Sequence, residues 1–194
     1  MIVNFVCLYL EDLIRNYKTE KIRYQNNFSQ NFDLKKCKLS NCSIYWYHRG
    51  EKIDLNQYCH YILKLTKHPE INLIYSLILI NRFIRKTYLQ LNNNNIIKLM
   101  LIGNLISSKI LDDDFYYNNC WSSIGGVDIL TLNKLEVEFL LCLEGNLNVS
   151  GPELIETYQH IIGYLKYHNL IDTKLQMSLN KDINSKYLFQ EKIS

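Results

Sequence analysis

The sequence predicts an all-α protein, and three observations carry that prediction. Apolar residues recur at spacings of three and four over most of the chain, no alternating strand pattern lasts beyond a few residues, and only 2 prolines and 7 glycines interrupt 194 residues. With 47% hydrophobic and 21% charged residues, the chain can bury one sizeable core with an appendage, but not two large domains.

The elements follow in order. Val3, Val6, Leu10, Leu13, Ile14 and Tyr17 keep helical spacing, so a first helix opens the chain. From about Lys18 to Gly50 the sequence is polar and loses that period, predicting a linker or extended arm, ordered at most around Ile44 to Tyr47. Asp54 offers an N-cap to a short helix carrying Leu55, Tyr58, Ile62 and Leu65. Pro69 suits the first turn of the next, which directs Ile71, Ile74, Leu77, Ile78 and Phe83 at the core. The third central helix, about 94–113, is apolar on nearly every side and belongs at the centre of a bundle. "YYNNCWSSIGG" leaves room for one short helix ending at Gly125 and Gly126, and Asp128 caps another, "DILTLNKLEVEFLLCL". Ser150 and Glu153 form a Ser-x-x-Glu capping-box pattern ahead of the stripe Leu154, Ile155, Tyr158, Ile161, Ile162 and Leu165. The organisation is a helix and arm over 1–50, a five-helix unit over 51–150, and a helix with a polar tail over 151–194.

Charge and cysteine usage limit the functional classes. A net charge of +3, with Lys and Arg scattered along the chain, does not indicate nucleic-acid binding. The six cysteines lack paired spacing and read as reduced thiols, with the cytoplasm or nucleus as the expected location. The opening "MIVNFVCLYLEDLI" has no basic n-region and meets Glu11 and Asp12 early, so it reads as an amphipathic helix, not a signal peptide. The apolar run from Ile71 to Ile80 falls far short of the roughly 20 residues that span a bilayer. No membrane association is expected.

Two residues break the pattern. Lys109 lies four residues after Leu105 and three after Ile106, on a stripe that ought to be buried; Glu136 lies four after Leu132, three before Phe139 and four before Leu140. An unpaired charge in such a place is costly, and an opposite partner offsets the desolvation of each. Either the two form an ion pair, or each fringes the core and reaches water.

The segments around them appear in a distinctive order: "INRF" (Ile80 to Phe83), "SSKILDD" (Ser107 to Asp113), "YYNN" (Tyr116 to Asn119), "GGV" (Gly125 to Val127) and "LNKLEVEFL" (Leu132 to Leu140). In order and spacing they resemble a cyclin box, in particular that of the Pho-like (P- or U-type) cyclins, over about Ile53 to Ser150. The resemblance implies an all-α, five-helix cyclin box with additional N-terminal and C-terminal helices. It also implies a regulatory subunit, not an enzyme, that binds and activates a cyclin-dependent protein kinase without any cofactor, by docking the kinase's mobile αC helix. The family's lysine and glutamate fall on Lys109 and Glu136, which are expected to hydrogen-bond main-chain groups beside that helix. Ile106, Ile110, Phe139, Leu140 and Leu147 are the candidate apolar surface receiving it.

Departures from the family pattern are specific. The aspartate of I-D-R-F is Asn81 and the arginine it commonly pairs with is Tyr61, so both charges are lost together. Ser107 and Ser108 stand where the family has alanines, Ile110 replaces an aromatic, and "LEGNL" lacks a following aromatic. The first box helix also lacks the Met-Arg-Ala-Ile-Leu type sequence of a substrate-docking patch. Three other readings compete with this one. A cyclin-fold adaptor without kinase activation is one, because fold does not fix function. Asp112, Asp113 and Asp114 as a metal or acid/base cluster is disfavoured because consecutive helix-end residues point apart. A zinc site from Cys37, Cys42, His48, Cys59 and His60 lacks the short Cys-x-x-Cys knuckle. No metal ligand or catalytic residue is therefore assigned.

Overall fold

The structure, a computed structural model, describes residues 2–27, 54–87, 89, 91–93 and 95–171, with the side chains of the first helix followed to residue 16. Among the described residues there are seven helices and no strand: α1 (Ile2–Asn27), α2 (Leu55–Thr66), α3 (Ile71–Thr87), α4 (Ile96–Leu111), α5 (Asn118–Gly125), α6 (Ile129–Cys142) and α7 (Gly151–Tyr167). The segment Ile44 to Tyr47, and Cys37, Cys42 and His48, lie outside the described residues.

The helix starts obey local chemistry. Asp54 accepts a hydrogen bond from the Gln57 amide at 2.8 Å, and Asp128 does the same for Thr131 at 2.8 Å. Gly126 ends α5 with φ +61°, a conformation natural to glycine. Pro69 sits two residues ahead of α3 rather than within it; its carbonyl accepts from the Asn72 amide at 3.1 Å. α1 continues to Asn27, well past Tyr17, where the apolar period stops. Lys, Glu, Arg and Gln there are good helix formers, and propagation from an existing helix needs no new nucleus.

The core is continuous from α1 to α7. α4 is buried from Ile96 to Ser108 with the exception of Lys98, as its all-round apolarity demands. α3 is equally central: every residue from Asn72 to Ile80 is buried, a wider face than the spacing of its apolar stripe predicts. Leu65, by contrast, is exposed, because α2 turns only one side inward. α3 and α4 cross closely where Gly103 stands: a Cβ there would lie 3.0 Å from the Ser76 Cβ. Ser107 and Ser108 keep their part of α4 narrow and satisfy their buried hydroxyls on the Asn104 and Leu105 carbonyls, each at 3.0 Å. α5 is pressed still more tightly on α4, since a Cβ at Gly125 would overlap the Leu101 Cδ2. Trp121, fully buried, anchors α5 there.

Long-range polar contacts fasten the outer helices. The Ile2 amide donates to Glu70 Oε2 at 2.9 Å, and buried Asp12 accepts from the Tyr164 hydroxyl and the Asn16 side-chain amide, both at 2.8 Å. α1 is thus clamped between the α2–α3 turn and α7. Ser150 accepts from the Glu153 amide at 3.3 Å, which is half of the capping box. The Glu153 side chain does not complete the other half, because it takes Arg82 instead, with both carboxylate oxygens 2.7 Å from Nη2. Arg82 Nη1 also donates to the Asn146 and Asn148 carbonyls at 3.1 and 3.0 Å, and the Tyr75 hydroxyl donates to Leu147 O at 2.8 Å. The α6–α7 loop is therefore shaped by α3.

Asp112, the C-cap of α4, accepts from Asn72 Nδ2 at 3.2 Å and lies 3.3 Å from His68 Nε2. It ties the end of α4 to the α2–α3 turn. Burial lowers the His68 pKa from its ordinary value, opposed by the Asp112 charge. A base with a depressed folded pKa binds fewer protons folded than unfolded, so stability is complete above the usual imidazole pKa of about 6.5 and falls as pH drops below it toward the folded value. His68→Gln should accordingly flatten the pH dependence of urea unfolding below that point. An unchanged slope would show that His68 ionises as freely in the fold as out of it.

Candidate functional site

Lys109 stands in the last turn of α4, and Glu136 lies mid-way along α6. Their Nζ and Oε1 atoms are 2.6 Å apart, with side chains 29% and 13% exposed. The two misfits therefore meet as a pair at the rim of the core, where some water access limits the desolvation cost.

Two amides complete the arrangement, and neither stood out in the sequence. Asn118, the first residue of α5, accepts from Lys109 Nζ at 2.7 Å and donates to Glu136 Oε2 at 2.7 Å. Its second Nδ2 hydrogen goes to Asn133 Oδ1 at 2.8 Å. Asn118 and Asn133 lie within the quoted "YYNN" and "LNKLEVEFL" segments, but an amide on a polar helix face violates no period and so raises no flag. Three helices contribute one polar side chain or more to a connected network.

The candidate apolar residues divide. Ile106 is 2% exposed and Phe139 fully buried, its ring stacked on Phe83 with centroids 4.7 Å apart. Both belong to the core and present no surface to another molecule; they support the rim from beneath. Ile110, beside Lys109, is exposed, and Leu140, one turn beyond Glu136, is half-buried. Leu147 is half-buried in the loop after α6 that Arg82 and Tyr75 hold. Tyr61 is exposed on α2 and Asn81 half-buried on α3.

The structure adds apolar surface that the spacing did not reveal. Leu130, Val137 and Leu141 are exposed at intervals of seven and four, one stripe along α6 beside Glu136 and Leu140. Beyond Ile110, Leu111 at the end of α4 and Phe115 and Tyr117 on the α4–α5 connection are exposed. Around a partly exposed ion pair, this much bare apolar side chain is characteristic of a surface that meets another macromolecule. Among the described residues, no three His, Cys, Asp or Glu side chains converge to hold a metal ion, and no helix is long and apolar enough to cross a membrane. Asp112 is engaged as described, while Asp113 and Asp114 are exposed.

Comparison with known proteins gives a concordant result. A family model described as "Cyclin" matches residues 3–147. Cyclin-U4-2 of Arabidopsis thaliana is 29% identical over 122 residues, which cover 62% of this chain and 55% of that protein. Cyclin-P3-1 of Oryza sativa subsp. japonica is 24% identical over 107 residues, 55% of this chain and 45% of its own length. PHO85 cyclin-6 of Saccharomyces cerevisiae (strain ATCC 204508 / S288c) is 38% identical over 64 residues, 33% of this chain and 15% of that protein. The matched regions thus span about half or less of these relatives.

Proposed function

This chain belongs to the cyclin family, of the Pho-like kind, and from that premise we propose that it is a regulatory subunit that binds and activates a cyclin-dependent protein kinase. The observation that carries the proposal is the Lys109–Glu136 pair at 2.6 Å, set on a rim between exposed apolar stretches of α4 and α6. Such a rim offers a cation and a carboxylate to main-chain carbonyl and amide groups, flanked by apolar side chains for a helix to cover. A kinase αC helix held there is biased toward the inward position in which its glutamate completes the catalytic Lys–Glu pair. The protein contributes binding free energy to a conformational equilibrium and performs no chemistry itself.

Co-purification by tag from the source cells identifies the bound kinase, and phosphoryl transfer measured with and without this chain tests activation. Stimulated transfer is expected. A bound kinase whose rate does not change would make the protein a cyclin-fold adaptor.

A further inference from the structure

We infer that Asn118 is a positioning residue of this docking site: its side-chain amide splays Lys109 and Glu136 so that each retains hydrogen-bonding capacity for a partner's main chain. The inference rests on the kinase-binding reading and deepens it.

Asn118 opens α5. Its N-cap is Tyr117, whose side chain makes no capping bond, and the Asn118 side chain is turned instead toward α4 and α6. The flanking charges dictate the orientation of the amide. A cation demands the carbonyl oxygen and a carboxylate demands the NH2 group, so a flipped amide would meet repulsion on both sides. Both Nδ2 hydrogens are occupied, one by Glu136 and one by Asn133. The residue therefore has no side-chain donor left for a partner, and its three bonds all go to side chains of α4 and α6.

That effect is specific. Left alone, an ammonium and a carboxylate can close on each other through both oxygens. Here the two donors divide the carboxylate, Asn118 Nδ2 taking Oε2 and Lys109 Nζ taking Oε1. Among the described residues, Lys109 makes two hydrogen bonds from its three N–H groups, and each Glu136 oxygen accepts one. One ammonium proton and two carboxylate lone pairs remain for a facing carbonyl and amide. Trp121, three residues along α5, is fully buried and seats that helix in the core. Pre-setting both charges lowers the ordering cost that a flexible pair would meet on binding.

The experiment has a partner-free arm and a binding arm. In the isotopically labelled full chain, the Lys109 ammonium protons should exchange with water about tenfold faster in Asn118→Leu than in the parent, as expected for losing one charge-assisted hydrogen bond. Unchanged exchange overturns the inference whether or not a kinase binds. In the binding arm, with the kinase recovered by co-purification, Asn118→Leu should weaken affinity about tenfold in the parent and less than about twofold in a background carrying both Lys109→Ala and Glu136→Ala, the non-additivity expected of coupled residues. Equal losses in both backgrounds would mean that Asn118 acts on its own or through the fold, and would also overturn it. Failure of the parent to bind any cyclin-dependent kinase strikes the functional reading alone. Should the leucine variant not fold, Asn118→Asp keeps the acceptor for Lys109 and sets a like charge against Glu136; its affinity loss should vanish in a Glu136→Ala background, and a loss that persists there overturns the inference.

Discussion

Phe139→Ala should lower the free energy of unfolding by about 3–5 kcal/mol, the usual cost of emptying a fully buried aromatic site. The ring is fully buried and stacked at 4.7 Å on Phe83, joining α6 to α3. Beyond the lost apolar transfer, the stacked pair adds about 0.5–1.5 kcal/mol. Neither neighbouring helix can collapse into the space without disturbing other contacts: α3 is pinned to the α6–α7 loop by Arg82 and Tyr75. Urea unfolding followed by circular dichroism reads the change directly. A loss of kinase affinity with stability intact would return Phe139 to the docking surface and contradict its burial.

Lys109→Ala should do the reverse. Kinase affinity is expected to fall by about 2 kcal/mol or more, the range of a central interface residue. Stability should shift by about 1 kcal/mol or less, because a pair with this much water access contributes little to folding. Asn118 also continues to donate to Glu136 when the lysine is gone. Calorimetric titration with the kinase and thermal unfolding of the free chain separate the two effects. Global unfolding of the variant would assign the pair to the architecture instead of to binding.

The contrast between these two residues shows what the sequence made legible. Helices and their caps depend on groups within four residues, so Asp54, Asp128 and the Ser150 end of its motif could be read directly. Lys109 and Glu136 were legible as exceptions, since a charge on an apolar stripe needs a physical reason. Glu153 could not be read, because the guanidinium that diverts it lies 71 residues away. Asn118 was hidden for another reason: a neutral amide is at home on any helix surface, and only three-dimensional proximity shows that it touches both charges. Phe139 and Leu141 are both apolar residues of one helix, and periodicity alone did not establish that the first faces Phe83 while the second faces solvent. The polar stretch after Tyr17 misled because loss of amphipathicity is not loss of helicity.

The hydrogen bond between Tyr164 and Asp12 joins residues 152 positions apart. During synthesis, α1 therefore precedes its α7 partner by about 8–30 s at ribosomal rates of about 5–20 residues per second. Through that interval the carboxylate of Asp12 has Asn16 but not Tyr164, and the apolar side of α1 that α7 will cover is bare. Local pairs such as α3 with α4 can form early at small entropic cost, whereas closing the α1–α7 contact spans most of the chain. The seam between α1 and α7 is thus the natural last step of folding, and the place where a holdase would find the nascent protein open.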